Sequence, residues 1–190
     1  VVFSVPSAPI AEGAPGIHSG PVTGWVCRLR AILPFMSSPP WEEYDTPNHG
    51  NARPETRGVI VHSTRGGQPP GTEYLATITY FLNPASQVSA HVVLAQDGRR
   101  AKLIPETLIA WHARGANVYY LGVELEQGKI DDPFTEAQYR NLAYWLKDMA
   151  DHFGFPLDRD HILGHEETEQ GRRDGKTDPG PRFDWAYLFQ

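Results

Sequence analysis

One stretch of the chain decides how it folds: Gly58-Val59-Ile60-Val61-His62-Ser63-Thr64. A run of β-branched residues that starts at a glycine and ends in polar residues is typical of a buried strand. His62 then stands where this strand meets a loop, rigidly supported and still accessible. The stretch therefore predicts both a central strand and a candidate ligand at the rim of its sheet.

Two helices are predicted downstream of this strand. Apolar residues recur at helical spacing from Tyr74 to Leu82, and Pro84 ends that helix. A longer helix starts after Thr135, which can cap it with Gln138 as the reciprocal partner. The apolar stripe of this second helix consists of Tyr139, Leu142, Leu146, Met149 and Phe153, and Gly154 with Pro156 ends it.

Further strands alternate with these helices. Residues 91–95 and 101–104 flank the dipeptide Asp97-Gly98, which predicts a hairpin with a tight turn. Residues 121–126 alternate apolar and acidic side chains and form another candidate strand. Strands interleaved with helices predict a single α/β domain with a central mixed β-sheet and helices on both faces.

Residues 1–50 differ from the rest because they are rich in proline and glycine, and we interpret them as an N-terminal extension that packs on a domain over residues 51–190. Residues 25–33 are the one stretch of this extension that could form a regular element. Cys27 is the only cysteine of the chain, which excludes an internal disulfide and a thiolate zinc cluster. We expect Cys27 to be a small buried side chain.

The composition narrows the classes of function. The net charge of −6 over 190 residues argues against a dedicated nucleic-acid-binding protein, which usually has a basic excess. No apolar run approaches the roughly 20 residues that a transmembrane helix needs. We therefore expect no nucleic-acid partner and no transmembrane segment, while the oligomeric state stays open.

A second histidine and an aspartate complete a possible metal site. His165 follows the apolar residues 162–164, as His62 follows its strand. Asp178 precedes Pro179, which favours an extended backbone, in a loop that also holds Lys176. Two imidazoles and one carboxylate leave a fourth tetrahedral position open, as in catalytic zinc sites. From residue types alone, two structural histidines and a solvated Lys-Asp turn remain an alternative.

The motifs around these residues, in their order along the chain, resemble those of a known enzyme family. They are Val59-Ile60-Val61-His62-Ser63-Thr64, Ser89-Ala90-His91-Val92-Val93, Asp97-Gly98, Ala110-Trp111-His112-Ala113, Leu121-Gly122-Val123-Glu124-Leu125-Glu126, Gly164-His165, Lys176-Thr177-Asp178-Pro179-Gly180-Pro181 and Phe183-Asp184-Trp185. The set is similar to the zinc-dependent N-acetylmuramoyl-L-alanine amidases of type 2, a group that includes phage endolysins and peptidoglycan recognition proteins. The resemblance covers residues 57–188.

The resemblance implies a role for each of five residues. His62, His165 and Asp178 match the three zinc ligands of the family. Glu124 matches the group that orients or deprotonates the attacking water, and Lys176 matches the cation that stabilises the developing oxyanion. The implied reaction is the hydrolysis of the amide bond between the lactyl group of N-acetylmuramic acid and L-alanine, with Zn²⁺ as the cofactor.

Four more residues are candidates for contact with the substrate, which the resemblance implies to be peptidoglycan or a muropeptide. Trp111 and His112 are expected to line the cleft, with Asn117 in the following loop. His91 is a further candidate, although a histidine within a strand is more often a core residue than a ligand.

Two positions depart from the commonest pattern of the family. Ser63 stands where many relatives carry a second histidine or a tyrosine. Ala90 stands where some branches carry a tyrosine beside the metal, so a tyrosine-assisted mechanism is not expected and more weight falls on Glu124.

The resemblance also implies a location. We expect a bacteriolytic enzyme at the cell wall, either extracytoplasmic or a phage-encoded lysin, and we favour cytoplasmic recycling of muropeptides less. Two alternatives remain at this point. A peptidoglycan-binding module without hydrolysis would keep the cleft, whereas an unrelated zinc peptidase is disfavoured because the chain has no His-Glu-x-x-His helix.

Overall fold

The computed structural model describes residues 39–69 and 71–190. The compact unit that carries the sheets spans Ser37–Gln190. Its strands are β1 (Glu42–Glu43), β2 (His49–Ala52), β3 (Gly58–Ser63), β4 (Val92–Leu94), β5 (Arg100–Lys102), β6 (Leu108–Ala110), β7 (Tyr120–Leu125) and β8 (Ile162–Gly164). Its α-helices are α1 (Glu73–Leu82), α2 (Glu136–Phe153), α3 (Glu169–Arg173) and α4 (Trp185–Leu188), and short 3₁₀ turns cover Pro84–Ser86, Arg114–Val118 and His165–Glu167.

The central sheet of the described residues has six strands in the order β1-β5-β4-β7-β3-β8. Strands β4 and β5 pair antiparallel and form the hairpin that the Asp97-Gly98 turn predicts. All other neighbours in this sheet run parallel. The prediction of a mixed sheet is therefore confirmed. Strands β2 and β6 form a separate antiparallel pair.

The two faces of the central sheet carry separate apolar cores, each covered by a helix. Val61 and Val123 pack on one face against α2, whose Leu142 is fully buried. Val93 packs on the other face against α1, in a cluster that includes Tyr74. Burying one such side chain stabilises the fold by about 1.5–3 kcal/mol. The prediction of helices on both faces is confirmed.

The ends of α2 follow the predicted capping pattern. The hydroxyl of Thr135 accepts a hydrogen bond from the backbone N–H of Gln138, and the Gln138 side chain accepts one from the backbone N–H of Thr135. Gly154 ends the helix in a left-handed conformation with φ of 80°, which a residue without a Cβ adopts at little cost.

The structure places part of the predicted N-terminal extension within the sheets. Strand β1 pairs with β5, and β2 pairs with β6. These segments are short, polar and near prolines, so they carry no alternation of apolar residues that would reveal a strand. The expectations for residues 25–33 and for Cys27 lie outside the described residues. Within the part of the chain that the structure describes, no helix is both long and apolar enough to cross a bilayer.

Candidate active site

Three parallel strands bring the candidate residues to one edge of the sheet. His62 on β3 is the register partner of Glu124 on β7. On the other side of β3, Val61 pairs with Gly164, and His165 follows at once. Because these strands run in the same direction, their carboxyl ends meet at one edge, where polar groups of an α/β sheet commonly form a site.

The loop after α3 adds the third candidate ligand. Asp178 Oδ2 lies 2.8 Å from His62 Nδ1 and 3.0 Å from His165 Nδ1. The backbone carbonyl of Asp178 accepts a hydrogen bond from the N–H of Glu166, which ties the loop to the turn that begins at His165. The structure therefore brings the three sequence-predicted ligands together.

This cluster fits a metal ion. The ligand atoms of His62, His165 and Asp178 all lie within 4.8 Å of one another. His62 and His165 are buried, and the Asp178 side chain is 13% exposed, so the cluster is rigidly held and still reachable from the cleft.

The protonation preferences of the cluster also suit a metal ligand set. Burial lowers the pKa of His62, and this effect outweighs the opposing influence of Asp178. Burial acts to raise the pKa of Asp178, but the contacts with His165 and His62 outweigh it and hold that pKa well below its usual range. A neutral imidazole and an ionised carboxylate are the forms that bind a metal cation.

Glu124 has the environment of an acid-base group. Burial raises the pKa of its carboxyl group well above the usual value, and the charge of Asp178 raises it further. Its Oε2 is buried and has no hydrogen-bond partner among the described residues. A raised pKa makes the carboxylate of Glu124 a stronger base, which suits general acid-base work.

A cleft with a volume of about 330 Å³ opens above these residues. It is lined by His62, Ser63, Thr64, Arg65, Phe81, Val88, Ser89, Trp111, His112, Glu124, His165, Lys176 and Asp178. Every predicted metal ligand and both predicted catalytic residues thus share one cavity.

Arg65 also lines the cleft, although no sequence motif indicated a role for it. It has a positive φ of 45°, and its guanidinium donates to the Thr177 hydroxyl at 2.9 Å. One of its nitrogens lies 3.8 Å from Asp178 Oδ1. Arg65 lies in the loop that is expected to follow the strand of His62, but no local pattern shows that this loop contacts the loop of Asp178, 113 positions later.

The predicted substrate contacts separate into two groups. Trp111 and His112 line the cleft, and Asn117 lines its continuation. The Asn117 side-chain oxygen accepts the backbone N–H groups of His112 and Ala113, so Asn117 shapes this wall. His91 lies apart from the cleft lining: it is fully buried and its Nδ1 accepts the N–H of Gly122 at 2.9 Å.

Comparison with known proteins assigns the chain to a protein family. Residues 51–181 match the N-acetylmuramoyl-L-alanine amidase family. The chain belongs to this family. The resemblance seen in the sequence motifs is confirmed, and the family excludes the alternative of an unrelated zinc peptidase.

Individual members of the amidase family show the same relationship. The chain is 30% identical to the 1,6-anhydro-N-acetylmuramyl-L-alanine amidase AmpD of Enterobacter cloacae over 163 residues, which covers 73% of this chain and 83% of that protein. A crystal structure of a selenomethionine AmpD derivative superimposes with a TM-score of 0.64 at 27% identity, covering 78% of this chain and 92% of that chain.

Two further structures extend the comparison. The amidase AmiD from E. coli, solved with the substrate anhydro-N-acetylmuramic acid-L-Ala-D-gamma-Glu-L-Lys, has a TM-score of 0.58 at 26% identity and covers 73% of this chain and 58% of that chain. A mutant endolysin from Bacillus subtilis has a TM-score of 0.52 at 20% identity, covering 67% and 85%. The likeness to the endolysin concerns the fold alone.

Proposed function

We propose that this amidase uses Zn²⁺ to hydrolyse the amide bond between the lactyl group of N-acetylmuramic acid and L-alanine. The observation that carries the proposal is the cluster of His62, His165 and Asp178 at the floor of the cleft, with Glu124 aligned beside His62. A module that only binds peptidoglycan has no need for a complete ligand set next to a buried acid-base group.

The donor set favours zinc over Mg²⁺ and Ca²⁺. Two imidazole nitrogens and one carboxylate oxygen match the three protein ligands of catalytic zinc sites, whereas Mg²⁺ and Ca²⁺ prefer oxygen donors. His62, His165 and Asp178 would hold the ion. Bound there, Zn²⁺ would supply a Lewis acid that polarises the scissile carbonyl group and favours ionisation of the attacking water.

Glu124 would transfer a proton from the attacking water to the nitrogen of the leaving L-alanine. Its carboxylate accepts a proton from the attacking water as the carbon–oxygen bond forms. The same proton then passes to the nitrogen of L-alanine as the carbon–nitrogen bond breaks, so that the peptide leaves as a neutral amine. The raised pKa of Glu124 makes its carboxylate a better acceptor for this proton.

Lys176 would stabilise the charge that develops on the carbonyl oxygen. It lies in the loop that also carries Asp178 and lines the same cleft. A cation placed where negative charge develops lowers the barrier more than it strengthens binding of the substrate. Arg65, which donates to the hydroxyl of Thr177 in that loop, adds a second positive charge to the cleft.

The substrate that we propose is a muropeptide with its stem peptide attached. Two relatives point to it: one is named a 1,6-anhydro-N-acetylmuramyl-L-alanine amidase, and AmiD is seen with an anhydromuropeptide. Trp111 and His112 line the cleft that would receive it, and Asn117 lines the continuation of this cleft. Intact peptidoglycan is the second candidate, and a location at the cell wall or in a phage lysin stays a prediction from the sequence resemblance.

The test combines metal analysis with product analysis on the full chain. We expect one Zn²⁺ per chain by mass spectrometry of the purified protein. Incubation with an anhydromuropeptide is expected to release an intact muramoyl sugar and a peptide with a free L-alanine amino terminus. Zinc without cleavage of either the muropeptide or intact peptidoglycan would support a binding module, and a cut within the peptide would contradict the amidase assignment.

A further inference from the structure

A chain of hydrogen bonds leads from the candidate metal site into the backbone of β7. His62 Nδ1 faces Asp178, while its Nε2 lies 3.0 Å from Nδ1 of His112. The Nε2 of His112 lies 3.1 Å from the carbonyl oxygen of Tyr120. The two rings meet edge to face, with centroids 5.1 Å apart and an interplanar angle of 90°.

The carbonyl oxygen of Tyr120 is the last acceptor in this series of hydrogen bonds, and it determines which ring nitrogens of His112 and His62 carry a proton. A backbone carbonyl can only accept, so the Nε2 of His112 must donate to Tyr120. A neutral imidazole carries one N–H, which leaves Nδ1 of His112 as an acceptor. His62 then donates its own proton from Nε2 to His112, which leaves its Nδ1, on the side of Asp178, as the nitrogen that can bind a metal ion.

We propose that His112 is a positioning residue that holds His62 in the tautomer whose Nδ1 binds the metal ion. This inference rests on the proposed metal site. Histidine ligands usually donate their second N–H to a carboxylate, a carbonyl group or water, and such partners fix the ring and its tautomer. Here the imidazole of His112 is the partner that accepts from His62. Because its other nitrogen donates to the Tyr120 carbonyl, the tautomer of His112 is fixed, and this in turn fixes the tautomer of His62.

The geometry also argues against a direct contact between His112 and the substrate. Both ring nitrogens of His112 are engaged, one with Tyr120 and the other with His62. No polar atom of the ring is left for a sugar or a peptide. The geometry therefore favours a role that acts through His62 over the substrate contact that the sequence predicts for His112.

The ring of His112 packs directly against Gly122. A Cβ atom at position 122 would lie 2.6 Å from Cγ and 2.8 Å from Nδ1 of His112, closer than atoms can approach without a shift. The ring thus lies directly against the backbone of β7. The Asn117 side chain fixes the other side of the residue by accepting the His112 backbone N–H at 3.1 Å.

Two substitutions of His112 distinguish the contribution of its hydrogen-bond acceptor from that of its ring. In His112→Asn the amide oxygen replaces Nδ1 and can accept from His62, whereas His112→Leu offers no acceptor. We expect His112→Leu to weaken Zn²⁺ binding about 10- to 100-fold in a chelator competition titration, since this is the usual effect of losing the partner of a histidine ligand. His112→Asn is expected to bind Zn²⁺ within a few-fold of the natural protein.

A spectroscopic measurement reads the tautomer itself. In the Asp178→Ala background with ¹⁵N-labelled histidine, where neither a metal ion nor the carboxylate acts on Nδ1 of His62, we expect His62 to carry its proton on Nε2, and we expect the added change His112→Leu to populate the Nδ1–H form. Unchanged Zn²⁺ affinity and an unchanged His62 tautomer in His112→Leu would overturn the proposal. So would a rise in KM for a muropeptide at unchanged Zn²⁺ affinity, because it would assign His112 to substrate binding.

Gly122→Ala provides an independent test that touches no ligand. The added methyl group should displace the His112 ring and weaken Zn²⁺ binding in the same direction as His112→Leu. Gly115→Ala is the matched control, because a Cβ at position 115 meets no atom within 4 Å. Equal Zn²⁺ affinity in both alanine variants would contradict the proposal, even if His112→Leu fails to fold.

These readouts are distinct from those of the proposed function. Zinc affinity and the His62 tautomer can respond as expected in a protein that cleaves no muropeptide, in which case the proposed function fails and the inference stands. Conversely, a zinc-dependent amidase whose affinity does not respond to His112 retains the function without the inference.

Discussion

Glu124 and Asp178 line the same cleft, but their carboxyl groups have opposite protonation preferences. Burial and the neighbouring Asp178 charge raise the pKa of Glu124, whereas the contacts of Asp178 with two histidines hold its pKa low against the effect of burial. Two carboxyl groups whose environments separate their pKa values commonly divide the work of a reaction between them. Here Asp178 would bind the metal ion and Glu124 would move the proton.

Glu124→Gln should keep the metal ion and lose most of the rate. The amide has a similar shape but cannot accept a proton, so we expect kcat to fall by about 10²- to 10⁴-fold. The measurement is kcat together with bound metal per chain. Glu43→Gln, on an exposed position of β1, makes the same change of charge far from the cleft and serves as the control. An unchanged kcat in Glu124→Gln would show that another group acts as the base.

Asp178→Ala should lose the metal ion. It removes one of three ligands and leaves two imidazoles, so we expect less than a tenth of the natural metal content after dialysis, and loss of activity. Asp174→Asn changes an acid four positions earlier in the same loop and is expected to retain the metal. Full turnover by metal-free Asp178→Ala would exclude the metal mechanism.

Lys176→Ala should lower kcat about 10²-fold while KM changes little. A charge that acts mainly in the transition state lowers the activation free energy by about a few kcal/mol and contributes less to the free energy of substrate binding. Lys176→Arg keeps the positive charge and should recover part of the rate. The exposed Lys129→Ala variant controls for a general loss of positive charge. A large rise in KM at constant kcat would instead make Lys176 a substrate-binding residue.

His91 should make the protein less stable as the pH falls. Burial and the charge of Arg53 lower the pKa of His91 to about 3, from about 6.5 in an unfolded chain. Between these values the unfolded chain binds the extra proton, so the free energy of unfolding decreases as the pH falls from about 6.5 to about 3. The decrease from this one group is at most about 1.4 kcal/mol per pH unit.

Urea unfolding of chelator-treated protein at several pH values tests this expectation. His91→Gln should reduce the slope of unfolding free energy against pH in this window, whatever its effect on the absolute stability. The same substitution at the exposed His152 serves as the control. Identical slopes in the natural protein and His91→Gln would show that His91 can take up a proton in the folded state.

Leu142→Ala should destabilise the fold by about 2–5 kcal/mol. Leu142 is fully buried where α2 packs on the sheet, and its truncation leaves a cavity. Tyr144, two positions later on the same helix, is 53% exposed, and Tyr144→Ala should change the stability by about 0.5 kcal/mol or less. Chemical denaturation of both variants gives the comparison, and similar losses would contradict the assignment of the core face of α2.

The sequence alone predicted the elements whose signals are local. The β-branched run before His62 indicated β3, and the Thr135 and Gln138 pair with Gly154 marked both ends of α2. These signals depend on side-chain periodicity and on hydrogen bonds over a few residues, so they can be recognised without the rest of the chain. Strands β1, β2 and β6 were missed because they are short and have no apolar alternation of their own.

Tertiary structure decided which of the chemically suitable residues meet. The parallel register of β3 and β7 aligns His62 with Glu124, and the loop of Asp178 closes on His62 from 116 positions away. His91 is fully buried, and the ring of His112 lies against Gly122 with its Nδ1 3.0 Å from His62 Nε2. Residue types suggested His62, His165 and Asp178 as metal ligands, and the resemblance of the surrounding motifs implied the roles of Glu124 and Lys176. Only long-range strand pairing and loop closure determine which nitrogen of each ring faces a carboxylate, a carbonyl group or another imidazole.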